Sequence, residues 1–113
     1  MEVGTEPIVI RERDATSFME GDEFCRHYIS TGKVTFGTSS LQPGYRGQID
    51  TGHPNSHEVF FCVRGHVLIH SGDSNYFELH EGDAVLIPEG VPHTLINVGE
   101  TPALVSWSAG PTP

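Results

Sequence analysis

Apolar residues along this chain come in short runs that alternate with polar ones, and turn residues cut the runs at close intervals. Strands are read at 7–12 (PIVIRE), 23–30 (EFCRHYIS), 33–39 (KVTFGTS), 58–64 (EVFFCVR) and 66–71 (HVLIHS). Four more follow at 75–79 (NYFEL), 83–87 (DAVLI), 92–97 (VPHTLI) and 102–108 (PALVSWS). Thr31-Gly32, Pro43-Gly44, Arg64-Gly65, Ser71-Gly72-Asp73, Glu81-Gly82-Asp83 and Glu89-Gly90 punctuate them, as expected of an all-β chain. No segment sustains a helical period. Ser17-Phe18-Met19-Glu20 has the form of a capping box, but Gly21 follows at once, which allows a single helical turn at most. So many short strands leave an open sandwich or a closed jelly-roll barrel, and spacing alone does not choose.

Strand alternation sorts the polar residues. Glu58, Phe60 and Cys62 share one face, while His57, Val59, Phe61 and Val63 share the other. By the same rule Thr51 lies on the face of His53, and His93 on the face of Leu95 and Asn97.

The chain has 113 residues, enough for one domain with its own core. Six basic residues against fifteen acidic give a net charge of −9, so neither nucleic acid nor an anionic membrane surface is expected as a partner. No apolar run has the length of a membrane span or a secretory leader, and a cytoplasmic protein is expected. Cys25 and Cys62 form no metal or redox motif, and Cys62 sits in an apolar run as a small hydrophobe. G-x-S-x-G and phosphate-loop patterns are absent. Seven histidines are the remaining chemistry.

Their spacing carries a resemblance. Gly82, Pro88, Gly90, His93 and Asn97 match the second signature of the cupin family at every position, and His53, Glu58 and Gly65 match the latter half of the first. The resemblance covers roughly residues 34 to 108. It implies a single-domain jelly-roll β-barrel at 34–108 and an N-terminal part at 1–33 holding strands and a dimer-forming arm; the residues at 109–113 are read from their composition as a loose tail. The family's site is usually three histidines and one glutamate around one divalent metal. Here Thr51 stands where the first histidine would be, so the resemblance supplies His53, Glu58 and His93. His57 is a substitute ligand if the loop at Pro54 breaks the alternation.

Two imidazoles and one carboxylate with open positions favour Fe(II), with Zn, Mn or Ni as alternatives. The function implied is a metal-dependent enzyme acting on a small carbonyl-, enol- or acid-containing molecule, first of all a non-haem iron dioxygenase. A non-redox isomerase, lyase or cyclase is the alternative, with Glu58 or His57 moving the proton. A metal-free binding or regulatory module is the third reading, suggested by Thr51. Pocket walls are expected from Phe60, Cys62, Leu95 and Asn97, together with Phe36, Tyr45, Gln48 and Trp107. A homodimer is expected.

Overall fold

The structure, a computed structural model, describes residues 1–113. Nine strands follow one 3-10 turn at Glu12–Asp14. They are β1 Thr16–Glu20, β2 Glu23–Ser30, β3 Thr35–Leu41, β4 His57–Arg64, β5 His66–His70, β6 Tyr76–His80, β7 Ala84–Ile87, β8 Thr94–Asn97 and β9 Ala103–Gly110. A six-stranded sheet in the order β1-β2-β3-β9-β4-β7 and a three-stranded sheet in the order β6-β5-β8 make a jelly-roll. All strand pairings are antiparallel.

Alternation decides which side chains turn inward. Along β4, Glu58, Phe60 and Cys62 are buried while His57, Val59, Phe61 and Val63 are exposed. Inward residues grade from apolar to polar along each strand. Cys62, Val105, Leu41 and Leu95 belong to the hydrophobic core, together with Val67, Ile69 and Leu79. Further along the same strands, or one step beyond them, Glu58, Trp107, Thr35 and His93 line a cavity of about 370 Å³. The core holds the two sheets together at one end and leaves the other end open for chemistry.

Three readings of the sequence are corrected. Residues 7–12 form no strand: exposed except for half-buried Ile10, they lead into the 3-10 turn at Glu12–Asp14, since no neighbouring strand offers them a ladder. Residues 16–20 are strand β1 rather than a helical turn, paired with β2 from Thr16↔His27 to Glu20↔Glu23 around the Gly21-Asp22 turn. Gly21 adopts φ +60°, which suits a two-residue hairpin, and cross-strand pairing overrides the local capping signal. The tail at 109–113 is not loose. Strand β9 continues to Gly110, the Thr112 amide and hydroxyl bond to the carbonyls of Gly32 and Thr31, and the Ser56 hydroxyl bonds to the Pro111 carbonyl.

Candidate metal centre

Four side chains converge in the cavity: Asp50, His53, Glu58 and His93. Glu58 is the first inward residue of β4. His93 immediately precedes β8 and is 5 % exposed, and its ring meets Phe60 edge-on at 5.4 Å between centroids. The Asp50 and His93 amides and carbonyls exchange two hydrogen bonds of 2.9 Å, an isolated bridge that sets the two residues side by side. Gly52 then takes φ +94°, a conformation open to glycine, and strict alternation ends there. Thr51 is exposed as a result, while Asp50 and His53 both reach the cavity.

Asp50, Glu58 and His93 offer ligand atoms that all lie within 4.8 Å of one another, and His53 stands at the edge of that group beside the two carboxylates. His93 Nε2 lies 2.9 Å from Glu58 Oε1 and 3.7 Å from Asp50 Oδ2. His53 Nε2 lies 3.6 Å from Asp50 Oδ2 and 4.0 Å from Glu58 Oε2. Asp50 Oδ1 accepts the Gly52 N–H at 2.8 Å, which orients the carboxylate and leaves Oδ2 facing the imidazoles.

Two observations test whether this set fits a cation. His93 Nδ1 is 3.0 Å from the Val91 carbonyl, which has no proton to give, so Nδ1 donates and Nε2 is the nitrogen offered to the site. Glu58 Oε1 is buried without an aligned hydrogen-bond donor, although Nε2 sits 2.9 Å away. A buried, unpaired carboxylate oxygen is costly. Facing lone pairs are relieved either by a proton on Nε2 or by a cation between the residues. Burial pulls the His93 pKa down, but the Glu58 carboxylate, the Val91 carbonyl and the Asp50 charge outweigh it and the net shift is upward. Two imidazoles and two carboxylates suit a divalent transition metal such as Fe(II), Mn(II) or Zn(II).

Asp50 is the residue that sequence reasoning missed. Its signal was Gly52, since a glycine between two candidate ligands warns that alternation breaks there. His57 is corrected in the opposite sense. It lies on the outer face of β4, 3.5 Å from Glu89, and reaches neither the donor set nor the cavity.

Of the expected pocket residues, Phe60, Leu95, Gln48 and Trp107 line the cavity. Four others do not. Cys62 is packed in the core. Asn97 is consumed by structure, donating to the Leu41 and Thr101 carbonyls and accepting from the Gly99 amide. Phe36 meets Tyr28, on the face of β3 opposite the inward residues, and Tyr45 is exposed in a turn. Alternation places Phe36 outward, and a residue of the bend before Arg46 has no reason to face in.

The rest of the wall comes from β1, β2, β3, β9 and the residues Thr112 and Pro113 beyond it. His27 stacks parallel to Trp107 at 6.1 Å across Gly37, where any Cβ would collide with the indole. Trp107 Nε1 donates to Ser39 at 3.0 Å. The Thr35 hydroxyl donates to the Ile29 carbonyl and therefore accepts from His27 Nε2. Burial raises the Glu23 pKa to about 7, the Ser39 hydroxyl opposing it. Burial also pushes the Cys25 thiol up to about 12, which excludes it as a thiolate nucleophile. His66, Glu78 and His80 form a separate exposed cluster on the three-stranded sheet, with His66 and His80 Nε2 at 3.0 and 2.6 Å from one Glu78 oxygen.

Residues 37–108 match the family described as Cupin domain. The chain is a cupin. Among curated relatives, auxin-binding protein ABP19b of Prunus persica is 29 % identical over 90 residues, covering 75 % of this cupin and 40 % of the relative. An uncharacterised protein of Methanocaldococcus jannaschii is 34 % identical over 50 residues, covering 44 % and 39 %. The cupin therefore spans about two-fifths of the curated relatives it matches. Among solved structures, KdgF from Halomonas sp. superposes with a TM-score of 0.78 at 16 % identity, covering 96 % of each chain. A predicted oxalate decarboxylase from Thermotoga maritima gives 0.77 at 18 % identity, covering 91 % of this cupin and 98 % of that chain. At such identities the likeness concerns the fold.

Proposed function

We propose that this cupin is a metal-dependent enzyme acting on a small oxygen-bearing organic molecule through a proton transfer, as an isomerase or lyase does. The convergence of Asp50, His53, Glu58 and His93 around the unpaired Glu58 Oε1 carries the reading. A bound divalent metal would supply Lewis acidity to a substrate oxygen. The chain's own residues do the rest. Phe60, Leu95 and Trp107 give the pocket apolar walls that restrict water, and Gln48 offers an amide to orient polar groups. Glu23, with its pKa near 7, can take or give a proton at neutral pH. That group favours non-redox chemistry over the iron dioxygenase, which remains the second reading because two histidines with carboxylates also suit Fe(II).

The test is elemental analysis of protein prepared without chelator, in a His80→Asn background that breaks the exposed cluster. One transition metal per chain is expected, retained in Thr51→His and lost in Asp50→Asn combined with His93→Ala. Metal-free parent protein after incubation with Fe(II), Mn(II), Ni(II) and Zn(II) would refute the centre and leave a binding module. Turnover that consumes oxygen would select the dioxygenase.

A further inference from the structure

Beyond the four donors, the cavity has a second pole. Glu20 and Glu23 flank the β1–β2 turn as direct cross-strand partners, and both line the cavity. Like charges in that relation destabilise a sheet. Neither residue forms an ion pair, although Glu23 is only 7 % exposed. The fold makes room for this arrangement. Gly47 faces the Glu23 carboxylate at a point where any Cβ would overlap it. Ser39 is the polar side chain beside Glu23, and the wall holds no lysine or arginine. Aromatic rings of Phe18, Phe60 and Trp107 also line the cavity.

The charge balance points to a class of ligand. A divalent cation at the donor set would balance Asp50 and Glu58, whereas no lysine or arginine faces Glu20 and Glu23, and above about pH 7, where Glu23 gives up its proton, that pole is anionic. A carboxylate or phosphate at that pole meets two acceptors of its own sign and no donor cation. An ammonium or hydroxyl group meets carboxylate acceptors and aromatic faces, which favour cations. We propose that the Glu20–Glu23 pole binds the hydrogen-bond-donating, non-anionic end of the substrate, an ammonium or hydroxyl group rather than a carboxylate or a phosphate. The proposal rests on the metal-centre reading, because that centre holds the substrate's other end.

Trp107 is the only tryptophan in the chain and lines the cavity, so its emission reports occupancy. Zinc-loaded protein at pH 8 is titrated with 3-aminopropan-1-ol, 1,3-propanediol and 3-hydroxypropionate, which share a hydroxyl and differ at the other end. The same titrations are run on Glu20→Gln, Glu23→Gln, with metal content and thermal melting measured on both proteins. The variant is expected to keep its zinc, to bind the amine or the diol at least tenfold more weakly, and to bind the acid as well as or better than the parent. A larger loss for the amine identifies an ammonium site, and equal losses identify a hydroxyl site. Equal changes for all three probes, no saturable signal from any of them, or loss of zinc in the variant overturns the proposal. A parent that holds no zinc refutes the metal centre separately, and the titrations without metal still decide the charge preference.

Discussion

Gly52 links the backbone to the donor set, and Gly52→Ala tests that link. The residue has φ +94°, and a Cβ there would stand 2.7 Å from the Gly90 carbonyl carbon and 2.8 Å from the Val91 amide nitrogen and carbonyl oxygen. The left-handed conformation costs a non-glycine residue about 1–2 kcal/mol. The neighbours are backbone atoms, which cannot swing aside as a side chain would, and overpacking of this kind costs about 1–3 kcal/mol more. A total loss of about 2–5 kcal/mol follows, against a domain stability of about 5–15 kcal/mol. For a chain of this length that lowers Tm by roughly 8–20 °C. Gly44→Ala is the control, because Gly44 has φ +80° and open space around it, so it should cost the conformational part alone. Differential scanning calorimetry of the two variants separates strain from collision, and zinc titration of the folded Gly52→Ala protein should show at least tenfold weaker binding as Asp50 and His53 separate. A Gly52→Ala variant that melts within about 3 °C of Gly44→Ala and binds zinc like the parent would refute the account of how Asp50 enters the site.

Two further outcomes are expected. Glu23 keeps its proton in the folded state up to about pH 7, whereas its ordinary value is 4.5, so between those values the folded state binds the extra proton and stability falls as pH rises. The loss amounts to roughly 3 kcal/mol and is complete above pH 7; Glu23→Gln should flatten this part of the metal-free stability–pH curve and be the more stable protein at pH 8, and a slope unchanged by the substitution would remove Glu23 as its source. Asn97→Ala breaks three hydrogen bonds at a buried position and should cost about 3 kcal/mol in urea unfolding without altering metal content; a loss of metal instead would return Asn97 to the site.

The cavity wall brings four carboxylates and three histidines together without a lysine or arginine. If the Glu20–Glu23 pole binds as proposed, a non-anionic group meets this wall there. Fold likeness does not carry ligand class, which individual side chains decide.

Period-two alternation and turn residues, both local, were enough to place most of the strands, and β2 at Glu23–Ser30 was legible to the residue. The inward face of β4 was equally plain, because a strand with one buried face writes its burial into its own sequence. Strand β1 was not legible, since all five of its residues are exposed and its existence depends on β2 across the turn. The extended arm at 7–12 failed in the other direction: it has strand composition but no partner. The site divides along the same line. His53, Glu58 and His93 lie in spaced motifs that can be read in one dimension, whereas Asp50 comes from the bridge to His93 and the positive φ of Gly52, and the Glu20–Glu23 pole from the cross-strand pairing of the β1–β2 hairpin. Residue type and spacing determine which strands form and which way they face. Only the folded jelly-roll decides which carboxylates meet, because that depends on contacts between segments far apart in the chain.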